Sequence, residues 1–209
     1  MTVLLQLAIV GALLIINEYW ARHRNVYSEF SRKFIHISVG SLVAFWPFWL
    51  SWQQIEWVSL AFLVVIGISK QLGLFKAIHS VQRPTWGEFF FAASVGVIPF
   101  ITHDKWIYAT ALLQMSLADG LAAVVGLKYG NGQAYKIFGH TKSLVGSLTF
   151  LIVSLVIMIG YVAIANTHLS VVNILTISIM ATFIENFGIA GLDNALVPLF
   201  VAYMLRHLV

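Results

Sequence analysis

Eight apolar segments dominate the 209-residue sequence, and each approaches the ~20 residues that a helix needs to cross a bilayer. Only 10% of the residues are charged, whereas soluble domains carry roughly 25%. The sequence therefore predicts an all-α, polytopic transmembrane helix bundle of seven or eight spans, forming a single domain over residues 1–209. The segments lie near residues 2–20, 36–52, 55–69, 88–102, 105–127, 144–165, 169–187 and 191–207.

Lys and Arg are unevenly distributed between the two sets of loops that join these segments. If the N-terminus lies outside and all eight segments cross, ten of the twelve basic residues face the cytoplasm, and Lys105 and Arg206 face the other side. This bias follows the positive-inside rule. The same arrangement puts most of the unusual polar residues on the cytoplasmic face, so we expect a multi-pass integral membrane protein whose active site meets cytosolic reactants there.

Composition also excludes several classes of site and partner. The chain has no Cys, which rules out disulfides and thiolate metal sites. It has no basic run with interleaved aromatic residues, so nucleic acid is not an expected partner. No Lys or Arg precedes the first apolar segment and no small-residue cleavage site follows it, so residues 2–20 are interpreted as a membrane span. The oligomeric state is left open.

One carboxylate, Asp119, lies inside the fifth apolar segment, where a charge costs ~3 kcal/mol on insertion scales. It shares a helix face with Ala123, Gly126 and Gly130. This strip of small residues would let a ligand or another helix approach the backbone. One interpretation is a functional acid beside a ligand site. The alternatives are an acid near the helix end that reaches water and a small-residue strip that serves helix packing.

A Lys-Ser pair, Lys142 and Ser143, directly precedes the sixth apolar segment in a polar loop. Loop amides, a lysine and a helix N-terminus together favour a phosphate group, and Gly139 adds backbone freedom. The complete P-loop pattern is absent, because Thr141 stands where that pattern has glycine. The alternative is a cytoplasmic lysine followed by Ser143 as a helix N-cap.

Two further polar groups border the same face. Arg32 and His36 are one turn apart and share a helix face that could bind a phosphoryl oxygen, although membrane anchoring also explains Arg32 and the neighbouring Lys33. Glu185, Asp193 and Asn194 border the turn between the last two segments. Acids at membrane depth need a partner, which is either a divalent cation such as magnesium, with its preference for oxygen ligands, or a lysine from another loop.

Carboxylates, basic groups and a glycine-rich loop at one membrane face suit phosphoryl transfer, which depends mainly on positioning, cations and charge neutralisation. Four ordered motifs then identify a resemblance that spans nearly the whole chain. Through these motifs the chain resembles the CTP-dependent polyprenol kinase family, which includes dolichol kinase, phytol kinase and the yeast-type diacylglycerol kinase. The motifs are RKFIH at 32–36, DGLAAVVGLKYG at 119–130, GHTKSLVGS at 139–147, and DNALVPL at 193–199 preceded by Glu185.

The resemblance implies a membrane kinase that transfers the γ-phosphate of CTP to a lipid alcohol such as phytol, farnesol, geranylgeraniol, dolichol or diacylglycerol. The implied Mg²⁺ ligands are Asp119, Glu185 and Asp193. The implied catalytic residues are Asp119, Arg32, His36 and Lys142. The implied nucleotide-binding residues are Gly126, Gly130, Gly139, Lys142, Ser143, Gly146, Ser147 and Asn194.

The sequence departs from the family at one clear position. Relatives usually have glutamate before the Gly-Ser that closes the third motif, whereas this chain has Val145, which puts metal dependence, activity and phosphate donor in question. Gly120 replaces the usual Ala or Pro, a smaller departure. Two other functions use similar residues: cytidylyl transfer to a lipid phosphate, and ion transport, which the clustering of polar groups on one side disfavours.

Overall fold

The computed structural model describes residues 2–23, 29–72, 86–130, 132–137 and 140–209. Most of these residues are helical, so the predicted all-α class is confirmed. A short 3-10 turn, Trp46–Phe48, follows the second helix. The helices are α1 Thr2–His23, α2 Glu29–Ala44, α3 Trp52–Leu72, α4 Gly87–Ile101, α5 Lys105–Leu113, α6 Asp119–Tyr129, α7 Leu144–Ala165, α8 Val171–Phe187 and α9 Asp193–Leu208.

Each predicted apolar segment coincides with a helix, or with α5 and α6 in succession for 105–127. The largest displacement concerns the second segment, predicted at 36–52, because α2 begins at Glu29 and ends at Ala44. Pro47 accounts for the early end, since proline has no N–H for the carbonyl four residues before it and its ring clashes with that carbonyl in a continuing α-helix.

By length and hydropathy, three helical stretches in the described part of the chain qualify as membrane spans: Thr2–Trp20, Lys105–Tyr129 and Leu144–Ala165. The apolar stretches Trp52–Ile68, Gly87–Ile101 and Val171–Phe187 are shorter. The chain is therefore a membrane protein, and the count of seven or eight spans stays a prediction.

The outer face of α7 illustrates the lipid-facing surface. Ile152, Val156 and Ile159 are each about 60% exposed, and such a row of apolar side chains is stable only against hydrocarbon or a partner. Phe150 and Met158 on the other face of α7 are fully buried in the core. The helix thus separates a lipid side from a protein side.

A short antiparallel hairpin occupies the segment predicted to be a polar loop. Strand β1, Ala134–Ile137, pairs with strand β2, His140–Ser143. Lys142 therefore belongs to a strand, and α7 begins one residue after Ser143. The Ser143 hydroxyl accepts a hydrogen bond from the Gly146 N–H at 3.1 Å, which confirms the predicted N-cap. Gly139 lies outside the described residues.

Close packing of α2 against the junction of α5 and α6 positions the polar residues. Residues Gln114–Ala118 form a π-helical turn at this junction, a feature that is frequent at functional sites. A Cβ on Gly120 would lie 2.2 Å from Ile37 Cγ1, and one on Gly40 would collide with the π-helical turn at 2.3 Å. These two glycines therefore let α2 lie directly on the turn, next to Asp119.

Candidate active site

Three carboxylates from three helices meet at one end of the bundle. Asp119 opens α6, Glu185 lies in the last turn of α8, and Asp193 opens α9. One oxygen atom from each lies within 4.8 Å of the other two. Asp119 and Glu185 are buried and Asp193 is partly buried. The structure thus brings together the three residues that the sequence suggested as metal ligands.

Lys33 is the partner of Asp119. Its Nζ lies 2.5 Å from Asp119 Oδ2, and Lys33 is 7% exposed. From this helix the sequence pattern assigned Arg32 and His36 to the site and Lys33 to membrane anchoring, so the pairing of Lys33 with Asp119 was missed. A signal was present, because Lys33 is three residues before His36 and therefore shares its helix face.

His36 is held between the π-helical turn and the carboxylates. Its Nε2 donates to the Met115 carbonyl oxygen at 3.1 Å and lies 3.5 Å from Asp119 Oδ2. Met115 belongs to the π-helical turn, where the Asp119 N–H is directed to the Ser116 carbonyl. The irregular turn therefore supplies the carbonyl that orients the imidazole toward Asp119.

Lys142 forms an ion pair with the Glu185 side chain, and its Nζ also donates to the Glu185 carbonyl oxygen at 3.1 Å. A lysine from another loop, one of the two alternatives for the acids, is therefore the partner of Glu185. Burial lowers the pKa of Lys142, but the carboxylates of Glu185, Asp193 and Asp119 outweigh that effect and raise the pKa above its usual value. Lys142 therefore stays protonated at neutral pH.

Asp193 differs from the other two acids, because its Oδ1 is buried without a hydrogen-bond partner in the described part of the chain. A buried acceptor that lacks a partner is unfavourable. Two lysines face three carboxylates here, and all the candidate ligand atoms are oxygens. This donor set fits a hard divalent cation such as magnesium.

The glycines of the second and third motifs pack against one another. A Cβ on Gly130 would lie 2.6 Å from Ser143 Oγ, and one on Gly126 would lie 3.3 Å from the Gly146 Cα. Small residues thus let α6 and the start of α7 approach closely, as the helix-packing alternative expects. A contact of Gly126, Gly130, Ser143 or Gly146 with a nucleotide stays a prediction.

A hydroxyl–amide network ties the hairpin to the helices next to Lys142. The hydroxyl oxygens of Tyr135 and Ser147 are 2.6 Å apart, and each donates to Asn186 Oδ1 at 2.7 Å. Asn186 Nδ2 in turn donates to the Thr182 carbonyl at 3.0 Å. Ser147 was among the residues predicted from sequence, but Tyr135 and Asn186 were missed, since their contact requires the hairpin, which was not predicted.

An apolar cavity of about 140 Å³ lies beside His36, between α1, α2, α3 and α4. Arg32, His36 and Asn194 line it together, so Arg32 and His36 do share a face, and that face borders the cavity. Asn194 thus borders the cavity. Its Nδ2 donates to the Gly87 carbonyl at 3.1 Å.

Comparison with known proteins identifies a relative over most of the chain. The sequence is 31% identical over 200 residues to a phytol kinase of Synechocystis sp., and the alignment covers 91% of this chain and 84% of the relative. No protein-family model matches the chain, and no solved structure matches it. The likeness therefore extends over nearly the whole sequence and is not confined to one motif.

Proposed function

Because the chain belongs to the phytol kinase family, we propose that this lipid alcohol kinase transfers the γ-phosphate of CTP to a polyprenol-type alcohol at the cytoplasmic face. The observation that carries the proposal is the group of Asp119, Glu185 and Asp193, with oxygens within 4.8 Å of one another, beside an apolar cavity. The choice of CTP rests on the resemblance of the four motifs to CTP-dependent kinases. Phytol, farnesol and geranylgeraniol are the first acceptors to examine.

The reaction needs a base for the hydroxyl proton. In the proposed step the alcohol oxygen forms a bond to the γ-phosphorus, the bond from that phosphorus to the β,γ-bridging oxygen breaks, and CDP leaves. His36 lines the cavity and lies 3.5 Å from Asp119 Oδ2. We assign the proton to His36, with the Asp119 carboxylate stabilising the imidazolium that forms.

Basic residues neutralise the phosphates in this proposal. Lys142 is protonated and pairs with Glu185 in the structure. We propose that its ammonium group turns to the phosphates when the nucleotide binds, which leaves Glu185 available as a cation ligand. Arg32 borders the cavity beside His36 and is assigned to the transferring phosphoryl group, since charge neutralisation is a large part of catalysis in such reactions.

Asp119, Glu185 and Asp193 are the residues that would hold magnesium. The unpartnered, buried Oδ1 of Asp193 supports this assignment. When bound, the ion would offset the negative charge of the nucleotide phosphates.

The test is a transfer assay with protein purified into lipid nanodiscs, using CTP labelled either at the γ-phosphorus or in the base. We expect the γ-label alone to appear in the lipid product. Base label in the lipid would contradict the kinase proposal and favour cytidylyl transfer. ATP and GTP at equal concentration identify the donor, and a rate with either that equals the CTP rate would contradict the choice of CTP.

A matched pair of variants tests the site. Asp119→Asn should lower the rate ~100-fold or more, because it removes the charge beside His36. Asp104→Asn is the control: Asp104 caps α5 by accepting from the N–H groups of Trp106 and Ile107, and asparagine caps equally well. Asp104 is also about 22 Å away along the helix. Equal rates for the two variants would contradict the assignment.

A further inference from the structure

The cavity beside His36 has polar residues at one end and apolar walls elsewhere. Arg32 and His36 lie in the first half of α2, Glu88 lies at the start of α4, and Asn194 lies at the start of α9. The N-terminal ends of these three helices lie at the same end of the bundle as the carboxylates. The deeper walls are apolar and include Val10, Leu14, Val39, Val43, Phe62 and Val95.

The cavity extends along α2 for about 16 Å, since Val43 is eleven positions after Arg32 and both line it. Trp46, which is fully buried, lies beyond Val43 and borders the far end. The volume of about 140 Å³ is close to that of an apolar cavity in another protein that holds benzene, about 150 Å³. The space therefore suits the first carbons of a hydrocarbon chain, not an entire long chain.

Asn194 provides an unused acceptor at the polar end. The residue is 6% exposed, its Nδ2 donates to the Gly87 carbonyl, and its Oδ1 has no hydrogen-bond partner among the described residues. Ser59, which is also a buried polar residue of the cavity wall, already donates to the Ala92 carbonyl at 2.6 Å. A ligand with a hydroxyl donor would satisfy Asn194, since buried acceptors are normally paired.

We propose that this cavity binds the hydroxyl-proximal part of a single-chain lipid alcohol, whose hydroxyl donates to Asn194 Oδ1 and lies beside His36. This inference rests on the proposed function for its substrate class. The family resemblance implied a nucleotide contact for Asn194, and the cavity reassigns the residue to the acceptor alcohol. His36 lines the cavity and also lies beside Asp119, so the hydroxyl would meet the phosphoryl group next to His36.

The same geometry disfavours diacylglycerol. Its two ester groups lie within a few bonds of the hydroxyl, and each ester carbonyl would be buried in the apolar part of the cavity without a donor. The indole Nε1 of Trp46 has no partner in the described residues, but it lies at the far end, out of reach of an ester group next to the hydroxyl. A single-chain alcohol has no such carbonyl to leave unpaired.

Filling the cavity tests the proposal by kinetics. Val39→Phe should raise the KM for farnesol by about tenfold or more, because the larger ring occupies the space of the first carbons, while the KM for the nucleotide changes less than about twofold. Val65→Phe is the control, since Val65 lies on α3 with 52% exposure and does not line the cavity. Unchanged KM for farnesol in Val39→Phe would overturn the proposal.

Photolabelling of the unaltered protein tests it without a variant and without catalysis. A farnesol analogue with a diazirine near the hydroxyl should label α2 and α4, and excess farnesol should compete while diacylglycerol should not. Labels confined to the exposed faces of α7 and α8 would overturn the cavity assignment even if the kinase is active. Labels in the cavity without transfer from any nucleotide would support the binding site and overturn the proposed function.

Discussion

Lys33 and Asp119 are 86 residues apart in the sequence, yet their side chains form an ion pair with a 2.5 Å contact. Both side chains are less than one-tenth exposed. The pair therefore joins α2 to the π-helical junction at the point where His36 also contacts Asp119. Removing one partner of a buried pair leaves an uncompensated charge and costs about 3–5 kcal/mol.

Variants of this pair can distinguish a structural role of Asp119 from a catalytic one. Lys33→Met should lower both the melting temperature and the transfer rate, because Asp119 is left buried without its lysine. The double variant Lys33→Met/Asp119→Leu removes both charges and should recover much of the melting temperature, since replacing a whole buried pair is often neutral. We expect no transfer activity from it. A double variant with transfer near the unaltered rate would show that Asp119 has only a structural role.

Gly120 is predicted to be intolerant of alanine. Gly120→Ala would place a Cβ 2.2 Å from Ile37 Cγ1, so Ile37 must change rotamer or α2 must shift, and a shift of α2 carries Lys33 and His36 away from Asp119. We expect a lower melting temperature and a loss of activity. Ile37→Ala removes the obstructing atom, and the double variant Gly120→Ala/Ile37→Ala should regain activity relative to Gly120→Ala. Failure of this rescue, with both proteins folded, would contradict the packing argument.

Tyr135 should act through the position of the hairpin. Tyr135→Phe removes the hydroxyl shared with Ser147 and Asn186, and each such hydrogen bond contributes about 1 kcal/mol. Because Lys142 lies opposite Tyr135 in the hairpin, we expect the KM for the nucleotide to rise and the KM for the alcohol to stay the same. Tyr129→Phe, at an exposed tyrosine, is the control. A rise in the KM for the alcohol alone would contradict the assignment of the hairpin to nucleotide binding.

The predicted topology has a direct test, because the chain has no native cysteine. Gln133→Cys is preferable to a cysteine at Gly132, whose φ of +86° favours glycine. An impermeant thiol reagent should label residue 133 only from the cytoplasmic side, and His168→Cys only from the outside. Labelling of residue 133 in intact cells would contradict the orientation. The 188–192 turn should face the cytoplasm as well, as should the 70–87 loop, of which residues 73–85 lie outside the described part of the chain.

The helices were predictable because apolar length is a local signal. Residues 144–165 were predicted as a segment and α7 spans Leu144–Ala165, where Ser143 supplies a recognisable cap. The segment predicted for α2 began too late, at residue 36, because Arg32, Lys33 and His36 lower the hydropathy of the first half of the helix. A helix that buries its polar end in a protein site cannot be distinguished from a loop by hydropathy alone.

The pairing of charges was not predictable from local pattern. Asp119 and Glu185 were each identified as acids that need a partner, but Lys33 and Lys142 come from distant elements. Their pairing depends on the close approach of α2 at Gly40 and Gly120, and on the strand that carries Lys142. Neither feature has a periodicity that a single sequence displays. The hairpin was missed for the same reason, since four-residue strands are too short for a clear alternating pattern.

Val145 occupies the position where the family that the sequence resembles usually has glutamate. Ser143 caps α7, so residue 145 lies in the first turn of the helix, where a carboxylate is favoured by the helix dipole. Valine supplies neither charge nor ligand there. We predict that Glu185 and Asp193 compensate for the carboxylate that Val145 does not supply, and that Val145→Glu will raise the rate or lower the magnesium concentration needed for half the maximal rate.

The measurement is initial rate against magnesium concentration for Val145→Glu and the unaltered protein. Val145→Gln is the matched control, because it has the same length and no charge, and it should behave like the unaltered protein. A higher rate or a lower magnesium concentration for half the maximal rate with Glu but not with Gln identifies the added carboxylate as the cause. If Glu and Gln abolish activity alike, residue 145 packs against lipid or protein, since a polar group buried there without a partner is unfavourable whatever its charge. In that case this chain would use its carboxylates differently from relatives that have the glutamate.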